Sequence, residues 1–186
     1  MKPETRRILE NILNDIRVEM TDEFDQNFER EAFFSEAWAR RKGPINSEYK
    51  ILAGAQERLR KSIRSRTTEN SIIFFTTEPD AAVHNEGCEI VVTKKMKRYF
   101  WHRYYEAVGS FSRKKDGKAR NNKQNAKLIE HSEFWKFMAL KKAGTTIKIP
   151  RRRFLGSSPE VEKAVRDIIE RNITEYINFE FEINEK

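Results

Sequence analysis

One stretch of sequence decides the fold, and it reads Ile147-Lys148-Ile149-Pro150-Arg151-Arg152-Arg153-Phe154-Leu155-Gly156. The two isoleucines predict a strand, and Pro150 ends it because proline donates no hydrogen bond to a sheet ladder. The apolar pair Phe154-Leu155 predicts a corner that is held against the core, with the three arginines projecting outward. The alternative interpretation is an ordinary strand-to-helix corner whose charges are only solvated.

Amphipathic helices are predicted at both ends of the chain. After the corner, Ser158 and Pro159 stand in the N-cap and N1 order that opens a helix, and apolar residues follow at three- and four-residue steps. The same spacing runs from Ile8 to Phe28 and predicts one helix over about residues 4–34. Because this helix exceeds the usual globular length, we expect part of it to dock on a neighbouring subunit.

A β-hairpin is predicted between these helices, with strands over residues 62–67 and 71–76. The continuous apolar run Ile72-Ile73-Phe74-Phe75 predicts that the second strand is buried. The same rules predict helices at 49–61, 81–85 and 96–108, and a further helix that contains residues 134–140 and ends before Gly144. They also predict strands at 89–93, 145–149 and 179–183, and a loop at 109–127.

These elements predict an α+β fold with a long N-terminal helix, a small antiparallel sheet with a β-hairpin, and a C-terminal amphipathic helix packed on it. We expect a single domain over residues 1–186, with a basic mobile insertion at about 109–131.

The positive charge of the chain is concentrated in one segment. The net charge is +8, yet residues 94–127 hold twelve Lys or Arg and only two acids. Such a segment favours phosphate groups or acidic protein surfaces, and its binding would be sensitive to salt. The candidate contacts with DNA or an acidic surface are Lys94, Lys95, Lys97, Arg98, Arg113, Lys114, Lys115, Lys118, Arg120 and Lys123.

The aromatic residues of this segment allow two interpretations. Trp101 or Tyr104 could stack on the bases of a nucleic acid. In the alternative, Phe100, Trp101 and Tyr104 belong to the core and Lys97 lies on the wet side of the helix. Their spacing at i, i+1 and i+4 favours this second interpretation.

Four blocks of the chain, taken in order, resemble the phage virion morphogenesis family of tail completion proteins. The stretch quoted first is similar to the family signature I-P-x-R-x-F-L-G, although the family often has proline where this chain has Arg152 or Arg153. Residues 56–63 resemble G-x-L-x-x-S-I, and a tryptophan follows the N-terminal helix. Residues 81–87 resemble Y-A-x-x-H-x-x-G, with Asp80 where the family commonly has an aromatic residue. Through these blocks the resemblance implies a subunit interface or structural anchor at Trp38, Leu59, Ser62, Ile63, His84, Gly87, Pro150, Arg151, Arg153, Phe154, Leu155 and Gly156.

The resemblance implies a structural, non-enzymatic protein of a tailed bacteriophage, which completes the tail or joins it to the head in the neck region. The implied partners are other tail and neck proteins, further copies in a homo-oligomeric ring with the hexameric symmetry of a tail, and packaged DNA. No cofactor or membrane is expected. The alternative function is that of a nucleic-acid-binding protein acting through residues 94–127.

Few residues point to catalysis or metal binding. We recognise no nucleophile with its base and no glycine-rich phosphate loop. His84 has Glu78, Asp80 and Glu86 nearby, but no second histidine or cysteine stands at ligand spacing, so a structural histidine is favoured over a metal ligand. The lone Cys88 and the absence of a signal-like start predict a cytoplasmic product. The resemblance implies that this is the host cytoplasm during assembly and that the protein afterwards belongs to the virion.

Overall fold

The computed structural model describes residues 3–184 and begins with helix α1, Pro3–Arg30. The predicted periodicity is confirmed, because this helix buries one apolar stripe. The stripe consists of Ile12, Leu13, Ile16, Met20, Phe24 and Phe28. The helix ends earlier than predicted, since Glu31 adopts a left-handed φ of 52°. A short hairpin of β1 (Ala32–Phe33) and β2 (Glu36–Ala37) follows.

The predicted central hairpin is present as β3 (Ile63–Thr67) and β4 (Ile72–Thr76), paired antiparallel. The prediction that its second strand is buried is wrong, because the sheet has only two strands and only one of its faces is covered. Ile73 and Phe75 are 42% and 40% exposed on the other face. Continuous apolar sequence therefore does not mean burial on both faces here.

The remaining elements follow the predicted order. They are α2 (Arg58–Lys61), α3 (Ala81–Glu86), β5 (Cys88–Val91), α4 (Lys94–Gly109), α5 (Lys123–Leu140), β6 (Thr146–Ile149) and α6 (Pro159–Asn184). Strand β5 pairs antiparallel with β6. The α+β class is thus confirmed, with three separate two-stranded sheets within residues 3–184.

Three element boundaries predicted from the sequence are wrong. The helix over 49–61 shrinks to α2, because Leu52 and Glu57 have left-handed φ values of 63° and 49° that interrupt it. Residues 123–127 are helical rather than loop, since the Asn122 side chain caps α5. The terminal strand over 179–183 is absent, because α6 continues through these residues.

The chain divides into two compact units. The first unit comprises Met1–Ala39, Lys50–Glu86 and Arg151–Lys186, and the second comprises Arg40–Tyr49 and Gly87–Pro150. In the first unit α6 packs on α1, and aromatic rings fill the space beside them. In the second, α4 packs on α5. That the whole chain forms one domain with a mobile insertion stays a prediction.

Candidate functional site

The anchor segment, residues 151–156, fastens the C-terminal part of the first unit to its core. Phe154 is 0% exposed, and its ring centroid lies 5.4 Å from that of Phe28. Phe28 in turn meets Trp38 edge-on, at 5.5 Å between centroids. Burying a phenylalanine side chain removes enough apolar surface from water to contribute about 2–3 kcal/mol. The predicted inward pair is thus confirmed for Phe154, whereas Leu155 is half-buried.

Side chains from α1, from α3 and from the residue after β2 bind the backbone of the anchor segment. The Asn85 Oδ1 atom accepts hydrogen bonds from the backbone N–H groups of Phe154 and Leu155, at 3.0 and 3.1 Å. Asn27 donates from Nδ2 to the Phe154 carbonyl at 3.3 Å, and Trp38 donates from Nε1 to the Arg153 carbonyl at 2.5 Å. These bonds satisfy polar backbone groups that burial has removed from water.

Sequence reasoning missed the two asparagines. Asn27 is 0% exposed and also accepts a hydrogen bond from the Phe34 N–H at 3.0 Å, so it joins α1 to two separate segments. A signal was available, because a polar residue interrupts the buried side of α1 at this position and a fully buried asparagine needs partners. Asn85 lies inside the matched block at 81–87, of which the sequence predicted only His84 and Gly87 as anchor residues.

The prediction that all three arginines project outward is wrong. Arg152 is 9% exposed; its Nε donates to the Ala39 carbonyl and its backbone N–H donates to the His84 carbonyl, both at 2.8 Å. The Arg153 guanidinium lies 4.7 Å from the centre of the Phe33 ring. Only Arg151 is exposed. A guanidinium carries five donors, so it can satisfy carbonyl oxygens that the fold leaves without partners.

His84 lies on α3, beside the anchor segment. Its side chain is 30% exposed, and its Nε2 is 3.9 Å from the nearest Asp80 carboxylate oxygen. The buried Nδ1 atom has no hydrogen-bond partner among the residues that the structure describes. Burial lowers the pKa of His84; Asp80 opposes this shift and Arg152 adds to it. The neutral form of the imidazole is therefore favoured over the charged form. No group of three or more potential metal ligands occurs within residues 3–184.

The second matched block lies at the base of the central hairpin. Leu59 and Ile63 are 8% and 9% exposed, and the Ser62 hydroxyl donates to the Leu59 carbonyl at 2.7 Å and pairs with the Thr76 hydroxyl at 2.5 Å. The block therefore sets where the hairpin begins. Nearby, Arg60 forms a two-pronged ion pair with Asp25, at 2.6 Å for each bond, which holds α2 against α1.

The other predicted anchor residues have backbone roles. Gly87 and Gly156 have φ values of 73° and 142°, which favour glycine over residues with a Cβ. Pro150 follows directly after β6, as the predicted end of that strand requires. Trp38, His84, Phe154 and their neighbours are thus brought together in the first unit, while Gly87 and Pro150 belong to the second.

In the second unit, α4 separates its aromatic residues between two faces. Phe100 is 7% exposed and stacks on Trp135 with centroids 6.0 Å apart. Trp101 instead forms a cluster with Tyr104 and Tyr105, at 5.6 and 5.9 Å between centroids. The favoured interpretation, which placed Phe100, Trp101 and Tyr104 in the core, is therefore correct for Phe100 alone.

Most predicted basic contacts of the second unit lie at the surface. Lys97 is half-buried, and the others are exposed: Lys94, Lys95, Arg98, Arg113, Lys114, Lys115, Lys118, Arg120 and Lys123. The segment between α4 and α5 has its own internal bonds: Arg113 donates to the Gly117 carbonyl at 3.0 Å, and Asn125 donates to the Ser112 and Arg120 carbonyls at 2.9 and 2.6 Å. Composition alone had suggested no such order.

Buried side chains thus secure the backbone of the first unit, and basic side chains lie at the surface of the second. The sequence model of the phage virion morphogenesis family matches residues 4–174, and the chain belongs to that family. The resemblance found in the four blocks is thus confirmed. Neither the curated proteins nor the solved structures contain a match to this chain.

Family membership supports a structural or assembly role in a bacteriophage. It implies interaction with other virion proteins and fits a place in the virion. It also points to a structural rather than a catalytic protein. Among the helices that the structure describes, none is long and apolar enough to cross a bilayer.

Proposed function

We propose that this protein acts at the end of tail assembly, where it completes the tail or joins it to the head in the neck region. The family match over residues 4–174 carries this proposal. The anchor segment supports it, because three of the four blocks that resemble tail completion proteins meet there: Trp38, the block at 81–87 and the anchor segment itself. Buried contacts of this kind would keep a small subunit rigid while it is fitted onto a preassembled tail.

The mechanism would be geometric. Copies arranged around the tail axis, as a hexamer if they follow tail symmetry, would contact one another through two different faces, because contacts within a ring are heterologous. The sequence predicts α1 and the corner at residues 150–156 as these two faces. Their apolar side chains are largely buried within the chain itself, as Phe28 and Phe154 illustrate.

Two other surfaces suit subunit contact better. The open face of the central hairpin exposes Ile73 and Phe75, at 42% and 40%. The outer side of α5 exposes Phe137 and Leu140, at 61% and 63%. Paired apolar residues at the surface mark interaction sites more often than single ones do. We propose these as the two faces through which copies or neighbouring virion proteins dock.

The test is deletion of this gene from the parent phage, followed by electron microscopy of the lysate. The proposal expects filled heads beside unattached or aberrant tails, and rescue when the intact gene is supplied from a plasmid. Joined, infectious particles in the deletion lysate would refute a role in tail completion or joining.

Variants supplied in the same way would test the docking faces. Ile73→Glu with Phe75→Glu should give a folded protein that fails to rescue, because two charges would enter an apolar contact. Val18→Glu is a matched control, since Val18 is 51% exposed on α1 and outside both faces. Full rescue by the hairpin variant would remove that face from the proposal, and failure of Val18→Glu would show that rescue does not distinguish surfaces.

A further inference from the structure

The side of α4 that faces away from the core carries rings and cations together. Residues 94, 98, 101 and 105 follow one another at steps of four, three and four, so Lys94, Arg98, Trp101 and Tyr105 share one face of this helix. Lys97 lies beside them. We call these five residues the outer face of α4. The buried residues Phe100 and Ala107 lie on other sides of the helix.

The aromatic rings of the outer face pack mainly on one another. Tyr105 is 64% exposed, yet its ring lies nearly parallel to that of Trp101, with 26° between the planes and 5.9 Å between centroids. The ring of Tyr104 meets both of them edge-on or steeply tilted, at 5.6 and 5.1 Å. The result is a small ring platform in which Tyr105 is exposed and Trp101 and Tyr104 are half-buried, at positions where a surface helix would ordinarily carry polar side chains.

Acidic side chains are nearly absent from this helix. Glu106 is the only acid in α4, and its carboxylate is paired with Arg103 at 2.6 Å. By sequence, the second unit holds 19 Lys and Arg against 6 Asp and Glu, a net charge of +13, whereas the first unit has a net charge of −5. The outer face therefore lies in the strongly positive part of the chain and would attract polyanions.

We propose that the outer face of α4 is a binding site for nucleic acid, whose phosphates pair with Lys94, Lys97 and Arg98 while a base stacks on Trp101 and Tyr105. Cations beside open aromatic rings are the combination by which proteins bind single strands without sequence preference. Single-stranded nucleic acid is the expected ligand, because the bases of a duplex are already stacked and would leave the rings unused. This site goes beyond the proposed role in tail assembly and does not depend on it.

An acidic protein surface is the competing partner. It would satisfy the lysines and the arginine equally well, but it offers no flat rings for Trp101 and Tyr105. The two partners therefore differ in how much the aromatic pair contributes to binding. They also differ in whether the fluorescence of Trp101 is quenched, because stacking on a base changes the surroundings of the indole.

The experiment measures binding of the full-length protein to a fluorescein-labelled oligothymidylate of about 20 nucleotides and to a duplex of equal length, by anisotropy over about 50–200 mM salt. Three variants are compared with the parent protein. The first carries Trp101→Ala with Tyr105→Ala, and the second carries Lys94→Gln, Lys97→Gln and Arg98→Gln. The third is a charge-matched control with Lys136→Gln, Lys141→Gln and Lys142→Gln elsewhere in the second unit. Circular dichroism verifies that each variant is folded.

The proposal expects the single strand to bind more tightly than the duplex and to quench tryptophan fluorescence. Loss of the two rings should weaken single-strand binding by about fivefold or more, the lower range for one stacked base. Loss of the three outer-face charges should reduce the slope of log affinity against log salt by about 2, since each phosphate contact on a single strand contributes about 0.7. The control variant should change that slope by less than half as much.

Four results would overturn the site. Equal losses in the outer-face and control charge variants would mean that general charge attraction, and not this face, binds the strand. Unchanged single-strand affinity in the ring variant would remove stacking and leave only phosphate contacts, as would tighter binding of the duplex. Displacement of the strand by polyglutamate at lower charge concentration than by unlabelled oligothymidylate would identify an acidic protein as the partner.

Discussion

Replacing Asn85 by alanine should destabilise the first unit strongly, because this one side chain accepts two backbone hydrogen bonds of the anchor segment. Its Oδ1 atom binds the N–H groups of Phe154 and Leu155, at 3.0 and 3.1 Å. Alanine offers no acceptor at this position. The segment would lose a link between α3 and a part of the chain 69 residues away.

The size of the effect follows from the burial of the two N–H groups. Phe154 is 0% exposed, so its amide would be left without a partner, which costs about 1–3 kcal/mol. Leu155 is half-buried, and water can replace part of its lost bond, so its share is about 0.5–1 kcal/mol. We therefore expect the free energy of unfolding to fall by about 2–4 kcal/mol, a large part of the total for a typical protein.

Urea unfolding, followed by circular dichroism and tryptophan fluorescence, would measure this change, and coincident curves would justify a two-state treatment. Glu86→Ala is the control, because the Asn85 amide also donates to the Glu86 carboxylate at 2.7 Å in an exposed pair. That control should change the free energy of unfolding by less than about 0.5 kcal/mol. A loss in Asn85→Ala no larger than in Glu86→Ala would refute the reasoning that Asn85 secures the anchor segment.

Three further predictions concern separate parts of the chain. Gly43→Ala should destabilise the second unit by about 1–3 kcal/mol in urea unfolding, because the new Cβ would lie 2.5 Å from the Phe134 ring. Gly109→Ala is the control: its Cβ meets nothing within 4 Å, so this variant should unfold in urea like the parent. Because burial lowers the pKa of His84 below 6.5, the unfolded chain binds its proton more readily. Stability should therefore fall as pH drops below about 6.5, with a slope of at most about 1.4 kcal/mol per pH unit, and His84→Gln should flatten that slope in urea titrations at several pH values. Ser158→Ala should lower the thermal unfolding midpoint, because it removes the N-cap of α6 at a cost of about 1 kcal/mol. Ser158→Asp should keep most of the stability that the cap provides. Equal midpoints for the parent and the alanine variant would count against the cap.

Local patterns of the sequence predicted much of the fold. The three- and four-residue steps of α1 predicted its buried stripe, since a helix repeats every 3.6 residues whatever surrounds it. The hairpin of β3 and β4 and the cap at Ser158 were likewise predicted correctly. The predictions were wrong where a residue adopts a backbone conformation that its type rarely adopts. Leu52 is an example, because its left-handed φ interrupts the helix predicted over residues 49–61.

The candidate site was only partly predictable. Resemblance to the family indicated which blocks matter, and the inward position of Phe154 followed from its apolar pair. No local pattern predicted that Arg152 turns inward to the Ala39 carbonyl, 113 residues away in sequence. Arg152 turns inward because the Ala39 carbonyl accepts its hydrogen bond, and the residues next to Arg152 in the sequence give no sign of that acceptor.

The sequence by itself determined the periodic elements, the concentration of positive charge in residues 94–127 and the order of the family blocks. Each of these depends on neighbours along the chain, because helix faces, strand alternation and caps are set within a few residues. Only the tertiary structure decided that Asn27 and Asn85 hold the anchor segment and that Phe100 is buried while Trp101 is half-buried and Tyr105 is exposed. Those outcomes depend on which distant polar groups lose contact with water and which side of a helix its neighbour covers, and both are settled when the chain packs.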